Sequence, residues 1–273
     1  MLYPDSENRI EELNKLVELF KIKGHPKTAK EALSFADMLR ESSFPLNLTS
    51  KFNGILKIFE EEFTNSLTEG KAYRAKVFNE VKEIVIGAFN RTHPEFFIKY
   101  SEILPILNNI KNAKDVCGDI ADETDSTKKS YSKVDFYLTC YSYMILVEGI
   151  FDEICRALYF FSKLSKTNAP KASTVFEKQV RKIIKEFDPV PVFLENWEEK
   201  RHIRNAIAHA TTYYDPVKDE VRFVDTLSPS HYDKTMKFRD FLLIDLELED
   251  LAESFLLILC LLGLLELFAR KKL

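Results

Sequence analysis

Apolar residues return every three to four positions along most of the chain, the spacing of a single buried face on an α-helix. Ile10, Leu13, Leu16, Val17 and Phe20 mark such a face over residues 7–22, and Gly24-His25-Pro26 ends it. The same spacing predicts helices over 27–40, 48–63, 71–89 and 94–110, separated by the polar breaks SSFPLN and NRTHPE. Over 115–129 the sequence DVCGDIADETDSTKK loses its large apolar residues, which predicts a long loop or a domain boundary. The longest helical pattern follows at 132–164, rich in apolar residues (FYLTCYSYMILVEGIF, then ICRALYFF), with Gly149 inside it as a place where another helix can approach closely. A helix over 173–187 is stopped by Asp188 and PVPV. Another begins near Phe193, and a short β-like pattern at 220–224 follows an Asp-Pro turn. The last helix starts near Leu246 and contains FLLILCLLGLLELF. That apolar run is well short of the roughly 18–20 residues a membrane span needs. Glu253 and Glu266 bracket it, so it reads as a helix buried in a core or between subunits.

These patterns predict an all-α fold in three parts: an N-terminal helical region over 1–115, a linker or long loop over 116–130, and a helical domain over 131–273. Composition agrees. Of 273 residues 45% are hydrophobic, enough for a core, and only 7 glycines and 10 prolines interrupt them. The net charge of −4 argues against bulk coating of nucleic acid, so polyanion binding would need a local cationic patch. Cys117, Cys140, Cys155 and Cys260 lie far apart without metal-ligand spacing. They read as buried thiols of a reducing, cytoplasmic compartment. The N-terminus MLYPDSENRIEEL lacks the pattern of a secretory signal. No metal or cofactor motif is present, and GHPKTAK lacks the Gly-Lys-Ser/Thr of a phosphate loop.

One local patch stands out, RHIRNAIAHATTYYD at 201–215. With Arg201 at zero and about 100° per residue, Asn205 falls at roughly 40°, His209 at roughly 80°, His202 at about 100° and Arg204 at about 300°. Ile203, Ala206, Ile207 and Ala210 fall on the opposite side. The polar face therefore carries Arg, His and Asn where Glu and Lys are usual. Arginine holds a planar fork of donors that matches phosphate oxygens, and histidine exchanges a proton near neutral pH. Together they suffice for metal-free RNA cleavage, in which one group takes the 2′-hydroxyl proton and another stabilises charge on phosphorus.

The string Arg204-Asn205-Ala206-Ile207-Ala208-His209 resembles the signature of the HEPN superfamily, an Arg followed by four to six residues and a His, often with Asn directly after the Arg. The context over about 131–273 is also similar, with a long apolar helix before the motif and another after it. The resemblance implies a helical bundle of the HEPN type that commonly dimerises, and a metal-independent endoribonuclease of a toxin–antitoxin or antiviral system. It assigns the catalytic roles to Arg204 and His209, with Asn205 in support. RNA, a second copy of the chain, and a separate antitoxin or nucleotidyltransferase chain are the partners it implies. Other members are non-catalytic helical dimers that bind RNA, nucleotides or proteins, which is the alternative reading. It explains nothing before about residue 115.

Plainer roles stand beside these. Arg204 and His209 could form a solvated face paired with Glu195, Glu198 or Glu199. Arg201 and His202 are equally suited to substrate binding and to ordinary surface. Tyr213 and Tyr214 could stack on bases, although tyrosines after a helix more often pack against the domain edge. Glu148 and Asp152 could orient the motif arginine or histidine, but exposed charge or partnership with Arg156 is the simpler expectation.

Overall fold

A computed structural model of the chain describes residues 26–40, 48–65, 71–92, 102–123, 131–164, 170–226 and 231–271. The expected helix over 7–22 lies outside them. By their contacts the residues divide into two units, one of 1–85 with 254–273 and one of 86–253. In the first unit lie α1 (Pro26–Arg40), α2 (Leu48–Asn65) and most of α3 (Lys71–Thr92). Phe59 of α2 and Phe78 of α3 are fully buried with ring centroids 5.2 Å apart. The α1 N-terminus is held by Glu62 of α2, whose carboxylate accepts from the Lys27 and Thr28 amides at 2.8 and 2.7 Å. Those amides have no intrahelical acceptor, so the carboxylate acts as a cap from a neighbouring helix.

The second unit contains the patch. Its first helix, α4 (Leu104–Glu123), covers residues 115–123 of the stretch expected to be a loop, and the rest of that stretch lies outside the described residues. The reason is packing by small residues. Cys117 is fully buried with its Sγ 3.8 Å from the Ser142 carbonyl, and Ala113 lies 3.5 Å from the position a Cβ on Gly149 would take. Helix α5 (Lys133–Ile145) begins with a capping box in which Ser132 Oγ accepts from the Asp135 amide and Asp135 accepts from the Ser132 amide. It passes into a π-helical segment, Leu146–Phe151, and then into α6 (Asp152–Lys163). Ile150, Ile154, Leu158, Phe160 and Phe161 are fully buried along this rod, each contributing about 1.5–3 kcal/mol.

The helix expected over 173–187 is broken into α7 (Ala172–Phe176) and α8 (Val180–Ile184). A 3-10 turn at Val192–Leu194 leads into α9 (Trp197–Ala208), the patch helix. The chain then forms an antiparallel meander of β1 (Thr212–Asp215), β2 (Glu220–Asp225) and β3 (Tyr232–Lys237). It ends in α10 (Phe238–Lys271), which starts eight residues before the expected Leu246. The fold is thus mostly helical with a small three-stranded sheet, and the all-α expectation needs that addition. Inward positions of β2 alternate as Val221, Phe223 and Asp225, with Phe223 against Phe241 of α10 at 5.0 Å. Among the described residues, no helix is long and apolar enough to cross a membrane.

Lys114 of α4 and Glu253 of α10 form a buried ion pair at 2.8 Å, with side chains 6% and 3% exposed. Removing one partner leaves the other charge buried without its ion-pair partner. Lys114→Ala is therefore expected to lower stability by about 3–5 kcal/mol, whereas Lys114→Met with Glu253→Leu is expected to fall near wild type. Urea unfolding of the three proteins measures the difference.

Candidate active site

The patch becomes three-dimensional on α9. Ile203 and Ala206 are fully buried, which fixes the helix rotation, and the Tyr143 hydroxyl of α5 donates to the Lys200 carbonyl at 3.1 Å. Glu198 and Glu199 in the first turn suit the positive end of the helix dipole. At the other end His209 occupies the cap position, and Ala210 takes a left-handed φ of 54°. The Thr211 amide donates to the Ala206 carbonyl at 2.8 Å and the Ala210 amide to Ile207 at 3.0 Å. This is a Schellman closure with alanine where glycine is usual, a conformation costing about 1–2 kcal/mol.

Two of the predicted residues meet one carboxylate. Asp225, at the end of β2 and 2% exposed, accepts through Oδ2 from His202 Nδ1 at 2.8 Å and from Asn205 Nδ2 at 3.0 Å. His202 is itself 7% exposed, and its ring stacks on Tyr232 of β3 at 4.8 Å and 9°. Arg201 Nη2 lies 3.4 Å from His202 Nε2, while Arg201 Nε donates to Glu198 at 2.9 Å and its guanidinium sits 5.8 Å from the Trp197 ring. Helical projection set His202 on the solvent face with Asn205. The meander covers that side of the helix, so His202 is packed against protein and not offered to a substrate.

Arg204 points elsewhere. Its Nε lies 3.3 Å from Glu148 Oε1, in the π-helical segment, as an ion pair lacking a well-directed hydrogen bond. Its side chain is 32% exposed. Asp152, one turn beyond Glu148, pairs with Arg156 at 3.8 Å, and Glu153 takes the Arg156 guanidinium at 2.8 Å. Burial pushes the Asp152 carboxyl up to about 6, opposed by Arg156 and Arg204 and reinforced by Glu153 and Glu148. Two of the three glutamates weighed as neighbours of Arg204 are engaged otherwise, Glu198 with Arg201 and Arg181, and Glu199 with Lys234.

His209 is exposed at the helix end, and its ring has no hydrogen-bond partner among the described residues. Tyr213 is exposed on β1 opposite Arg222, which is itself bonded to Asp233 at 2.8 Å. Tyr214 turns inward, stacked on Phe136 at 5.4 Å, with its hydroxyl 3.1 Å from the Tyr131 carbonyl and 3.0 Å from Asp219. Burial and the Asp219 carboxylate push that hydroxyl up to about 12. Tyr214 thus packs the domain edge and presents no face to a base. Beside α9 a groove of 230 Å³ is lined by Arg181, Lys185, Leu194 and Trp197 among others. Among the described residues, no group of three or more His, Cys, Asp or Glu side chains could hold a metal ion.

The chain matches no family model, no curated protein and no solved structure. The site is therefore read from its own geometry. Sequence reasoning missed Asp225 and Tyr232, because both reach α9 only through strand pairing about 20 to 30 residues downstream. The single signal available was the acidic residue closing the alternation VRFVD.

The Asp152 carboxyl gives a pH prediction. An unfolded aspartate releases its proton near pH 4, whereas the folded one keeps it to about 6. Between those values the folded state binds the extra proton, so this group's contribution to stability falls as pH rises through the window. Denaturation midpoints of wild type minus Asp152→Asn, followed from pH 4 to 7, are expected to decline and then level off.

Proposed function

We propose that this protein is a metal-independent endoribonuclease of the HEPN type, with Arg204, Asn205 and His209 as its working residues. The observation that carries the reading is the exposed end of α9. There His209 stands exposed at the cap position, and five residues earlier Arg204 has a partly exposed side chain whose Nε faces Glu148. In this reading His209 takes the proton of a ribose 2′-hydroxyl. O2′ then attacks phosphorus, the bond to O5′ breaks, and the leaving oxygen takes up the proton that His209 accepted. Arg204 binds the two non-bridging oxygens as charge builds on them. The product ends in a 2′,3′-cyclic phosphate, and a homodimer would face two such sites toward one another. A role in toxin–antitoxin or antiviral defence follows from the same resemblance.

Purified protein is expected to cleave single-stranded RNA in excess EDTA, with cyclic phosphate ends on the products. His209→Ala is expected to lose about 10²- to 10⁴-fold in rate. Equal cleavage by wild type and His209→Ala would remove the assignment.

A second reading, a non-catalytic helical dimer that binds RNA or protein, draws on a different observation. Val134, Tyr137 and Tyr141 lie on one face of α5 and are 64%, 64% and 59% exposed. Aromatic residues without charges among them are the composition of an interface core. Light scattering is expected to give a dimer for wild type and a monomer for Tyr137→Glu with Tyr141→Glu. A double variant that stays dimeric places the subunit contact on another face.

A further inference from the structure

Asp225 occupies the last inward position of β2, after Val221 and Phe223, where strand alternation otherwise supplies apolar side chains. A carboxylate that is 2% exposed needs donors. Two donors from α9 reach one oxygen, Oδ2: His202 Nδ1 at 2.8 Å and Asn205 Nδ2 at 3.0 Å. The chemistry of the partners fixes their states. A carboxylate only accepts, so His202 Nδ1 carries a proton. Arg201 Nη2, 3.4 Å from Nε2, only donates, so Nε2 keeps its lone pair. Of the two tautomers of His202, these partners therefore select Nδ1–H. By the same logic Asn205 must present its NH₂ to Asp225, because its carbonyl oxygen against a carboxylate would be repulsive. That leaves Oδ1, an acceptor, for a group outside the clamp.

The end of β2 also holds the far side of the motif. The Val224 amide donates to the Thr211 carbonyl at 3.2 Å, and Thr211 Oγ1 donates back to the Val224 carbonyl. Thr211 lies two residues past His209. Two consecutive residues of one strand, Val224 and Asp225, thus grip the segment at Asn205 and just beyond His209.

We propose that Asp225 is the positioning residue of the RNAIAH segment: its shared oxygen fixes the Nδ1–H tautomer of His202 and the amide orientation of Asn205, so that Asn205 offers Oδ1 to a hydroxyl donor of the substrate. A ribose 2′-hydroxyl is such a donor and deoxyribose lacks it. The substrate clause rests on the ribonuclease reading above, whereas the tautomer and the amide orientation do not.

The test uses the full chain labelled with ¹⁵N and ¹³C at histidine. Wild-type His202 gives the signature of the neutral Nδ1–H tautomer, and Asp225→Asn loses that preference. A wild-type His202 in the Nε2–H form overturns the proposal whatever the protein does to RNA. On single-stranded RNA, Asp225→Asn and Asn205→Ala each lower kcat by about 10²-fold, as misplacement of a reacting group does, with KM within about twofold. The double variant is no slower than the slower single variant, because both changes remove one device. Losses that multiply overturn it. Asn205→Asp keeps an acceptor but loses the donor to Asp225, so it is at least as slow as Asn205→Ala; wild-type activity in it overturns the proposal even where Asp225→Asn fails to fold. A wild type that leaves RNA intact while His202 shows the Asp225-dependent Nδ1–H form refutes the nuclease reading and supports the clamp.

Discussion

A carboxylate buried where a strand would normally turn an apolar residue inward decides how the patch helix and the meander fit together. Taking Asp225 out of water costs several kcal/mol unless hydrogen bonds to it replace the lost hydration. The His202 and Asn205 side chains supply them, and both lie on one side of α9. That requirement sets the register. A slip of one residue in β2 would send Asp225 outward and Val224 inward, leaving His202 and Asn205 against an aliphatic side chain. The pairings Val221 with Tyr214 and Asp225 with Tyr232 then follow in step, and they bring Tyr232 onto the His202 ring. Sheet, helix and motif are thus tied at one oxygen atom.

On the other side of α9 the physics is looser. Glu148 is about half exposed, its contact with Arg204 is poorly directed, and an ion pair of that kind is worth at most about 1 kcal/mol. A phosphate that meets a guanidinium with two parallel hydrogen bonds offers more. Glu148 is therefore a weak partner for Arg204. The π-helical segment matters here, because its wider turn shifts the phase of every later side chain relative to an unbroken α-helix. Glu148 sits within it, and the acidic group Asp152–Glu153 follows directly, where Arg156 absorbs most of the charge. Asp152, kept protonated by burial until about pH 6, adds little to the field at Arg204 below that value.

How far the sequence foretold this depends on which force shaped each element. Helices with one large apolar face were legible: the expected 48–63 and 71–89 became Leu48–Asn65 and Lys71–Thr92. Helix α4 past Ile110 was not, because its contact there is made by Ala113 and Cys117, small residues that leave no hydrophobic signal. The strand β3, YDKTMK, was hidden for the opposite reason: it is an edge strand whose side chains are mostly solvated, so it carries no apolar alternation. In the patch, projection turned Ile203 and Ala206 inward, where they are buried, but Ile207 is only half-buried and Ala210, past the end of the helix, is exposed. Projection could not tell a polar face that meets water from one that meets a sheet, and His202 fell on the wrong side of that distinction.

The two histidines show what that distinction does chemically. They are seven residues apart, nearly two helical turns, and an ideal helix would place them within roughly 20° of one another. They end in opposite surroundings because the helix has to stop. Strand β1 begins at Thr212 and must pair with β2, so the chain reverses at Ala210 in a conformation that alanine adopts at a cost, held by the Thr211 bonds to Ala206 and Val224. His209 is the last residue before that reversal, beyond the reach of the meander's inner face, and stays in water. His202 lies under the meander and gives both ring nitrogens to protein neighbours. The difference between the two imidazoles, one in water and one packed between protein neighbours, follows from where β1 forces α9 to end.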